Sequence, residues 1–435
     1  MGIISKIKDS RNRIVAEEEK MLLLLLFSLS LMLLALVFNS PREIGQGMWI
    51  IFKSKDNLIT DYMALASPGA ALFNAGIISM LSLYLIKRSG ANLSGATLAA
   101  FFTMAGFAFF GKNLFNSLPI TFGAYLYSRL VGVRFNTVIL SAFYATGISP
   151  LITEIAFSLG FTPIKGIAYA YMVGIFIGLI FPLLSSRFLA FHQGYNLYNG
   201  GFTCGIIGMF SLGFLRMFGY NIDSVDIIST EYNLNLLLVL IGIFSTFLLV
   251  GLYQQNWSFR EYEKLTKETG RLVTDFTNLY GFGLTLINMA IMGFISTAYV
   301  LLTGGSLNGP ILGGIFTIVG FSAFGKHPRN TIPIFIGVYL ALLLNIYNPR
   351  STGSTLGALF GTTLAPVAGR YGPIAGIVTG FMHAGMVTNI SYLHAGVNLY
   401  NNGFSGGFIA ATLAPIFEVI EEVINEKKRK REVQS

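Results

Sequence analysis

Two short stretches carry the residue types best suited to chemistry in this otherwise apolar chain: His192-Gln-Gly-Tyr-Asn196-Leu-Tyr-Asn199-Gly-Gly-Phe202 and His394-Ala-Gly-Val-Asn398-Leu-Tyr-Asn401-Asn-Gly-Phe404. In each, a His and two Asn fall at relative positions 0, 4 and 7, which on a helix is one face. Imidazole and carboxamide groups give and take hydrogen bonds, so two such faces suit a lane for a polar solute. Each polar face ends at Gly200-Gly201 or Asn402-Gly403, where a helix is expected to stop and leave backbone groups free. The plainer alternative is that these side chains cross-bond neighbouring helices.

A second repeated block shows that the chain is a duplication. Residues 95–126 align without a gap on 309–340, with fifteen of thirty-two positions identical, including Lys112 with Lys326, Asn116 with Asn330 and Pro119 with Pro333. The same shift pairs Asn74 with Asn288. Polar residues retained in both copies of an apolar segment are candidates for a solute pathway. This adds Asn74, Asn288, Lys112, Lys326, Asn116 and Asn330 to His192, Asn196, Asn199, His394, Asn398 and Asn401.

Charge within the apolar segments is one-sided. Glu154 is the only acidic residue between Asp61 and Asp223, and none occurs between Asp275 and Glu418, while Lys112, Arg129, Arg134, Lys165, Arg187, Lys326, Arg329, Arg350 and Arg370 persist across these stretches. A pathway in that frame sits in positive potential and favours an anionic or hydrogen-bond-accepting solute; flank residues that snorkel to the interface are the alternative. Glu154 finds no matching acid in the second repeat. A lone carboxylate in hydrocarbon is neutralised or bound to a cation, so it is a candidate proton or sodium coupling site, or the partner of a nearby base.

Several chemistries are excluded. Gly106 to Lys112 and Gly320 to Lys326 fit the start of a phosphate-binding loop, but Asn113 and His327 stand where its Ser or Thr belongs and no strand precedes them. There is no His-Glu-x-x-His pattern, Cys cluster or nucleophile motif, so neither an enzyme, a metal nor a cofactor is expected. Cys204 is the single cysteine, a packing residue with nothing to pair with.

Composition sets the elements that must position these residues. Hydrophobic residues make up 53% and charged ones 11%, against roughly 25% charged in soluble domains, so the chain is expected to be an all-α, polytopic transmembrane bundle in a lipid bilayer. The +9 balance does not call for nucleic acid, since basic termini at Lys6, Lys8, Arg11 and Arg13 and at 427–431 account for much of it. Met21 to Phe38 reads as a retained first helix, without a cleavage site.

Each half divides into seven apolar segments, near 21–38, 69–86, 94–110, 114–131, 137–160, 164–189 and 198–217, then 234–253, 280–302, 306–324, 330–348, 352–368, 373–392 and 399–417. The first repeat is taken as 1–220 and the second as 221–435. Basic termini face the cytoplasm, whereas 220–232 holds Asp223, Asp226 and Glu231 and no Lys or Arg, and so lies outside. A repeat that starts inside and ends outside crosses an odd number of times, which makes the pair an inverted repeat with five to seven segments each. The basic loop Arg260 to Arg271 falls inside. Re-entrant or broken helices are expected at 137–160, interrupted by Gly147 and Pro150, and after each His–Asn motif.

The duplicated blocks resemble a family of uncharacterised bacterial multi-pass membrane proteins, domain of unknown function 1576, which carries its domain twice. The resemblance covers nearly the whole chain and implies an integral membrane location, without a substrate or catalytic residues. Leu307-Asn308-Gly309-Pro310 is also similar to the Asn-Gly turn of urea channels, which are inverted repeats, although the first repeat has Ser94 in place of Asn308. The expected function is a secondary transporter in the cell membrane for a small polar or anionic solute, bound between the repeats and coupled to H+ or Na+. A passive channel for a small neutral solute is the alternative, and a membrane scaffold or sensor the third reading. Each is compatible with a homo-oligomer.

Overall fold

The computed structural model describes residues 15–55, 57–223, 225–344 and 346–434, so Lys6, Lys8, Arg11 and Arg13 lie outside the described residues. The first half contains α1 (Glu17–Phe38), α2 (Pro41–Lys53), α3 (Tyr62–Leu65), α4 (Pro68–Ser89), α5 (Gly95–Phe107), α6 (Leu114–Val131), α7 (Ile139–Ala145), α8 (Pro150–Phe157), α9 (Pro163–Phe191) and α10 (Asn199–Met217). The second half repeats the series as α11 (Asn233–Gln254), α12 (Tyr262–Leu265), α13 (Phe276–Tyr280), α14 (Phe282–Leu302), α15 (Gly309–Phe321), α16 (Pro328–Leu344), α17 (Thr352–Gly361), α18 (Ala365–Tyr371), α19 (Pro373–His394) and α20 (Asn401–Gln434). Among the described residues no strand forms, and six helices are long and apolar enough to cross a membrane: α1, α4, α9, α10, α11 and α14. The pair Ile139–Ile148 and Pro150–Phe157, bent by 48° at the break expected from Gly147 and Pro150, forms a broken span or a re-entrant loop. The protein is an all-α polytopic membrane bundle.

The segments expected at 94–110 and 306–324 are shorter than foreseen. Helices α5 and α15 have 13 residues each, about 20 Å at 1.5 Å per residue, against a hydrocarbon core about 30 Å thick. Both ends must therefore be satisfied by protein. Asp61, fully buried, accepts the N–H of Met63 at 2.9 Å, the N–H of Ser229 at 3.0 Å, the Ser229 hydroxyl and the N–H of Gly309, the first residue of α15. Asp275, 214 positions later, accepts the N–H of Asn278 at 3.1 Å and that of Gly95, the first residue of α5, at 3.1 Å on each oxygen. Negative charge at a helix N-terminus meets both the free N–H groups and the helix dipole.

Each clamp also holds the end of the other short helix. Tyr62 donates its N–H to Phe109 O and Phe276 donates to Ala323 O, both at 3.1 Å. Helices α5 and α15 thus run antiparallel, each from one Asp to the other, and a β-carbon on Gly106 or Gly313 would stand 2.9 or 3.0 Å from the facing carbonyl. The contacts are reciprocal, as in an isologous interface. Around this pair α1 packs on α4 and α11 on α14, while α6 packs on α9 and α16 on α19.

The two clamps differ in burial, because Asp275 is only partly buried. Asp61→Ala leaves four donors without their acceptor inside the protein and should cost about 2–3 kcal/mol, against about 1 kcal/mol for Asp275→Ala. Thermal unfolding of the detergent-purified variants checks the ranking, and equal losses would show that the clamps do not act as described.

Candidate functional site

The His–Asn motif is not a helix face, as its spacing suggested. Helix α9 stops at Phe191 and α10 starts at Asn199; in the second copy α19 ends at His394 and α20 starts at Asn401. The links between them use positive φ at Gln193, Gly194, Ala395 and Gly396. Asn196 Oδ1 accepts the N–H of Tyr198 at 3.2 Å and Asn398 Oδ1 that of Tyr400 at 2.9 Å, local turns that compete with helical bonding. The breaks therefore precede Gly200-Gly201 and Asn402-Gly403. The segments that follow are continuous helices.

The other edge of each carboxamide reaches the opposite repeat. Asn196 Nδ2 donates to Gly403 O at 2.9 Å, and Asn398 Nδ2 donates to Gly201 O at 3.5 Å. Leu197 donates its N–H to Thr363 O and Leu399 donates to Gly147 O. The exchange brings α10 against α20, so closely that a β-carbon on Gly201 would lie 3.1 Å from Gly403 Cα. His192 Nε2 lies 3.0 Å from Asn199 Oδ1, and His394 Nε2 lies 3.0 Å from Gly205 O across the interface; both oxygens accept, so each Nε2 donates. Asn199 Nδ2 donates to Ser185 O and Oγ at 2.9 and 3.0 Å. The two motifs thus meet each other, and much of their polarity joins the halves.

Lys112 and Lys326 follow the C-terminal ends of α5 and α15, and both are fully buried. Their links are fixed identically. Asn74 Nδ2 donates to Ala108 O and Lys112 O at 2.7 and 2.8 Å, and Asn288 Nδ2 to Ser322 O and Lys326 O at 2.7 and 2.8 Å. Asn116 Nδ2 reaches Gly111 O at 3.1 Å and Asn330 Nδ2 reaches Gly325 O at 2.8 Å. These four Asn position the backbone that presents the lysines.

The lysine side chains approach one aromatic cluster from its two ends. Three pairs of equivalent residues supply it: Phe107 and Phe321, Tyr144 and Phe360, Tyr198 and Tyr400. Ring centroids lie 4.4 Å apart for Phe107 and Tyr400, 5.1 Å for Tyr400 and Tyr198, and 4.7 Å for Tyr198 and Phe321. Lys326 Nζ donates to Tyr198 OH at 2.5 Å and to Thr362 Oγ1 at 2.7 Å. Lys112 Nζ instead lies 3.1 Å from Met104 Sδ and 5.1 Å from the centre of the Phe107 ring. Among the described residues neither lysine has a carboxylate partner. An ammonium in such a place is neutral or needs an anion, because burial without a counter-charge is costly.

Glu154 lies away from this cluster. It is buried beside Ser158, its Oε1 has no hydrogen-bond partner among the described residues, and the charges acting on it are Lys55 and Asp223 rather than Lys112 or Arg350. The short turns Thr146–Ile148 and Thr362–Leu364 correspond, which places Arg370 at the position equivalent to Glu154. Arg370 pairs with Glu421 at 2.8 Å. Cys204 is buried, with Sγ 3.4 Å from Tyr144 O. Among the described residues no group of three or more His, Cys, Asp or Glu is placed to hold a metal ion.

Sequence reasoning passed over Tyr198, Tyr400 and the Asp61–Asp275 pair. The signal was available, since both Tyr stand inside the repeated motif and the two Asp share the shift that pairs Asn74 with Asn288.

The two interlocking Asn are unequal, because Asn196 Oδ1 also accepts from Thr363 Oγ1 at 2.6 Å. Asn196→Ala should therefore cost about 2–3 kcal/mol and Asn398→Ala about 1 kcal/mol. Melting of the two purified variants decides this, and a larger loss for Asn398→Ala would contradict it.

No curated protein and no solved structure matches the chain. The family model described as Protein of unknown function (DUF1576) matches it twice, over residues 40–217 and 254–419, and the chain belongs to that family.

Proposed function

We propose that this membrane protein is a secondary transporter for a small polar or anionic solute, working by alternating access between two inverted repeats. The observation that carries the reading is the pair Lys112 and Lys326, equivalent in the two repeats, fully buried and without carboxylate partners among the described residues. A passing anion would supply the missing counter-charge, and ring faces between the lysines bind cations through their quadrupoles while a site is empty.

Their unequal states support the reading. Lys326 is bonded to Tyr198 and Thr362, whereas Lys112 makes neither of the equivalent bonds, to Tyr400 and Thr146, among the described residues. In a transporter built from repeats, the halves exchange such roles as access switches sides. The other state would then have Lys112 bonded to Tyr400 and Thr146, with Lys326 released. Glu154 serves as the coupling residue for H+ or Na+, since its unpartnered oxygen lies under the acidic linker. No reaction chemistry is part of this reading, and the protein is not an enzyme.

Reconstitution in proteoliposomes with a panel of labelled small anions and neutral solutes tests the function. Accumulation against a gradient is expected for an anion, Lys112→Met and Lys326→Met should each reduce exchange at least about ten-fold, and Glu154→Gln should lose accumulation but keep exchange. Flux of neutral solutes alone, indifferent to both lysines, would replace the transporter with a passive channel.

Topology is tested separately. In the cell membrane, with both termini cytoplasmic, a cysteine at Asp226 in a Cys204→Ala background should react with an impermeant reagent from outside and one at Lys264 only from the cytoplasm. Labelling of both from one side would rule out the inverted arrangement.

A further inference from the structure

A cavity of about 360 Å³ lies between α16, α17, α19 and α20 of the second repeat, with Leu58 and Ile59 of the first on its wall. At its base are Asn401 and Asn402, which are 5% and 1% exposed. His383 Nε2 lies 2.8 Å from Asn402 Oδ1, and Asn402 Nδ2 donates to Asn401 Oδ1 at 2.7 Å. This chain of bonds fixes the Asn401 carboxamide with its carbonyl occupied. Its own Nδ2 donates to no group among the described residues.

The first repeat shows what has been removed. There the equivalent Asn199 donates to Ser185, and the residue that takes the place of Ser185 in the second repeat is Val387, which lines the cavity. The hydroxyl partner has been lost, Asn401 makes no bond to the Val387 carbonyl among the described residues, and the amide has been kept. Of the residues behind it, His383 and Asn402 stand where the first repeat has Phe181 and Gly200, so the polar cluster exists on one side only.

The surroundings favour a ligand that accepts hydrogen bonds. Asn401 is the first residue of α20, and Ser351, Gly353 and Ser354 bring the start of α17 to the same cavity. Two helix N-termini bring positive dipole ends to it, with the Ser354 N–H of α17 already capped by Ser351 Oγ at 3.2 Å. No charged side chain lines the cavity, and no acidic residue occurs from Phe276 to Phe417. The position is adjacent to the lysine cluster as well: a β-carbon on Gly361 would lie 3.2 Å from His383 Nε2, and Thr362, the next residue, accepts from Lys326.

We infer that this cavity is a binding site for a small carboxylate or other oxyanion, held by the Asn401 amide between the N-termini of α17 and α20. It goes beyond the transport reading, because binding here requires neither flux nor the lysines. The test is a thermal-unfolding titration of the full-length detergent-purified protein with sodium acetate replacing chloride at constant ionic strength, with urea as the neutral comparison. Acetate should stabilise the wild type and urea should not.

Asn401→Leu should raise the acetate midpoint at least about ten-fold. Val387→Ser, which restores the partner that Asn199 has in the first repeat, should do the same without lowering the melting temperature, so the site remains testable if Asn401→Leu fails to fold. Both substitutions leave Lys112 and Lys326 in place, so a shifted acetate midpoint reports this site and not the lysine centre. Absence of acetate stabilisation in the wild type, equal stabilisation by urea or an unchanged midpoint in Val387→Ser would each overturn the proposal.

Discussion

The structure depends on the reciprocal grip of two carboxylates on two short helices. A helix of 13 residues cannot carry its own ends to water on both sides of a bilayer, and an unsatisfied backbone group at membrane depth costs several kcal/mol. Asp61 and Asp275 resolve this by accepting the first N–H of α15 and of α5. Because each acid also lies beside the end of the other helix, the two halves can be joined only in one register. The remaining spans then pack as an outer layer on a central pair whose helix N-termini are already satisfied.

A second constraint follows from the first. With α5 and α15 antiparallel, the links that follow them fall at opposite ends of the pair, and Lys112 and Lys326 point back toward the shared rings. The interlocked motifs close the same centre from the other side, since Tyr198 and Tyr400 come directly after the turns made by Asn196 and Asn398. Hydrogen bonding that fixes the interface thus also sets the aromatic groups between the lysines. Stability and the candidate site share residues here, so a change at Asn196 or Asn398 acts on both.

Departures from the two-fold pattern carry as much information as the pattern. Lys326 is bonded where Lys112 is not, Ser185 is replaced by Val387, and Arg370 stands at the place of Glu154. A duplicated scaffold with symmetric chemistry would bind the same group in the same way on both sides. These differences give the halves distinct electrostatics, with an acid near the linker in one and a base paired to Glu421 in the other.

The sequence by itself determined the duplication, the helical membrane class, the break at Gly147 and Pro150, and the pairing of Lys112 with Lys326 and of Asn74 with Asn288, because hydropathy and repeat register are properties of residue order. It misled where local bonding competes with periodicity: positions 0, 4 and 7 of the His–Asn motif fit a helix face, yet Asn196 and Asn398 turn onto their own backbone and break the helix there. Segment lengths misled for a related reason, since apolar runs continue past the ends of α5 and α15 into links buried by other helices. Only the tertiary structure decided which polar groups are consumed in joining the halves and which remain free. For Asn196 and Asn398 the partners lie some two hundred residues away, and of two amides alike in sequence Asn199 finds its acceptor on the preceding helix, at Ser185, whereas Asn401 makes no such bond among the described residues.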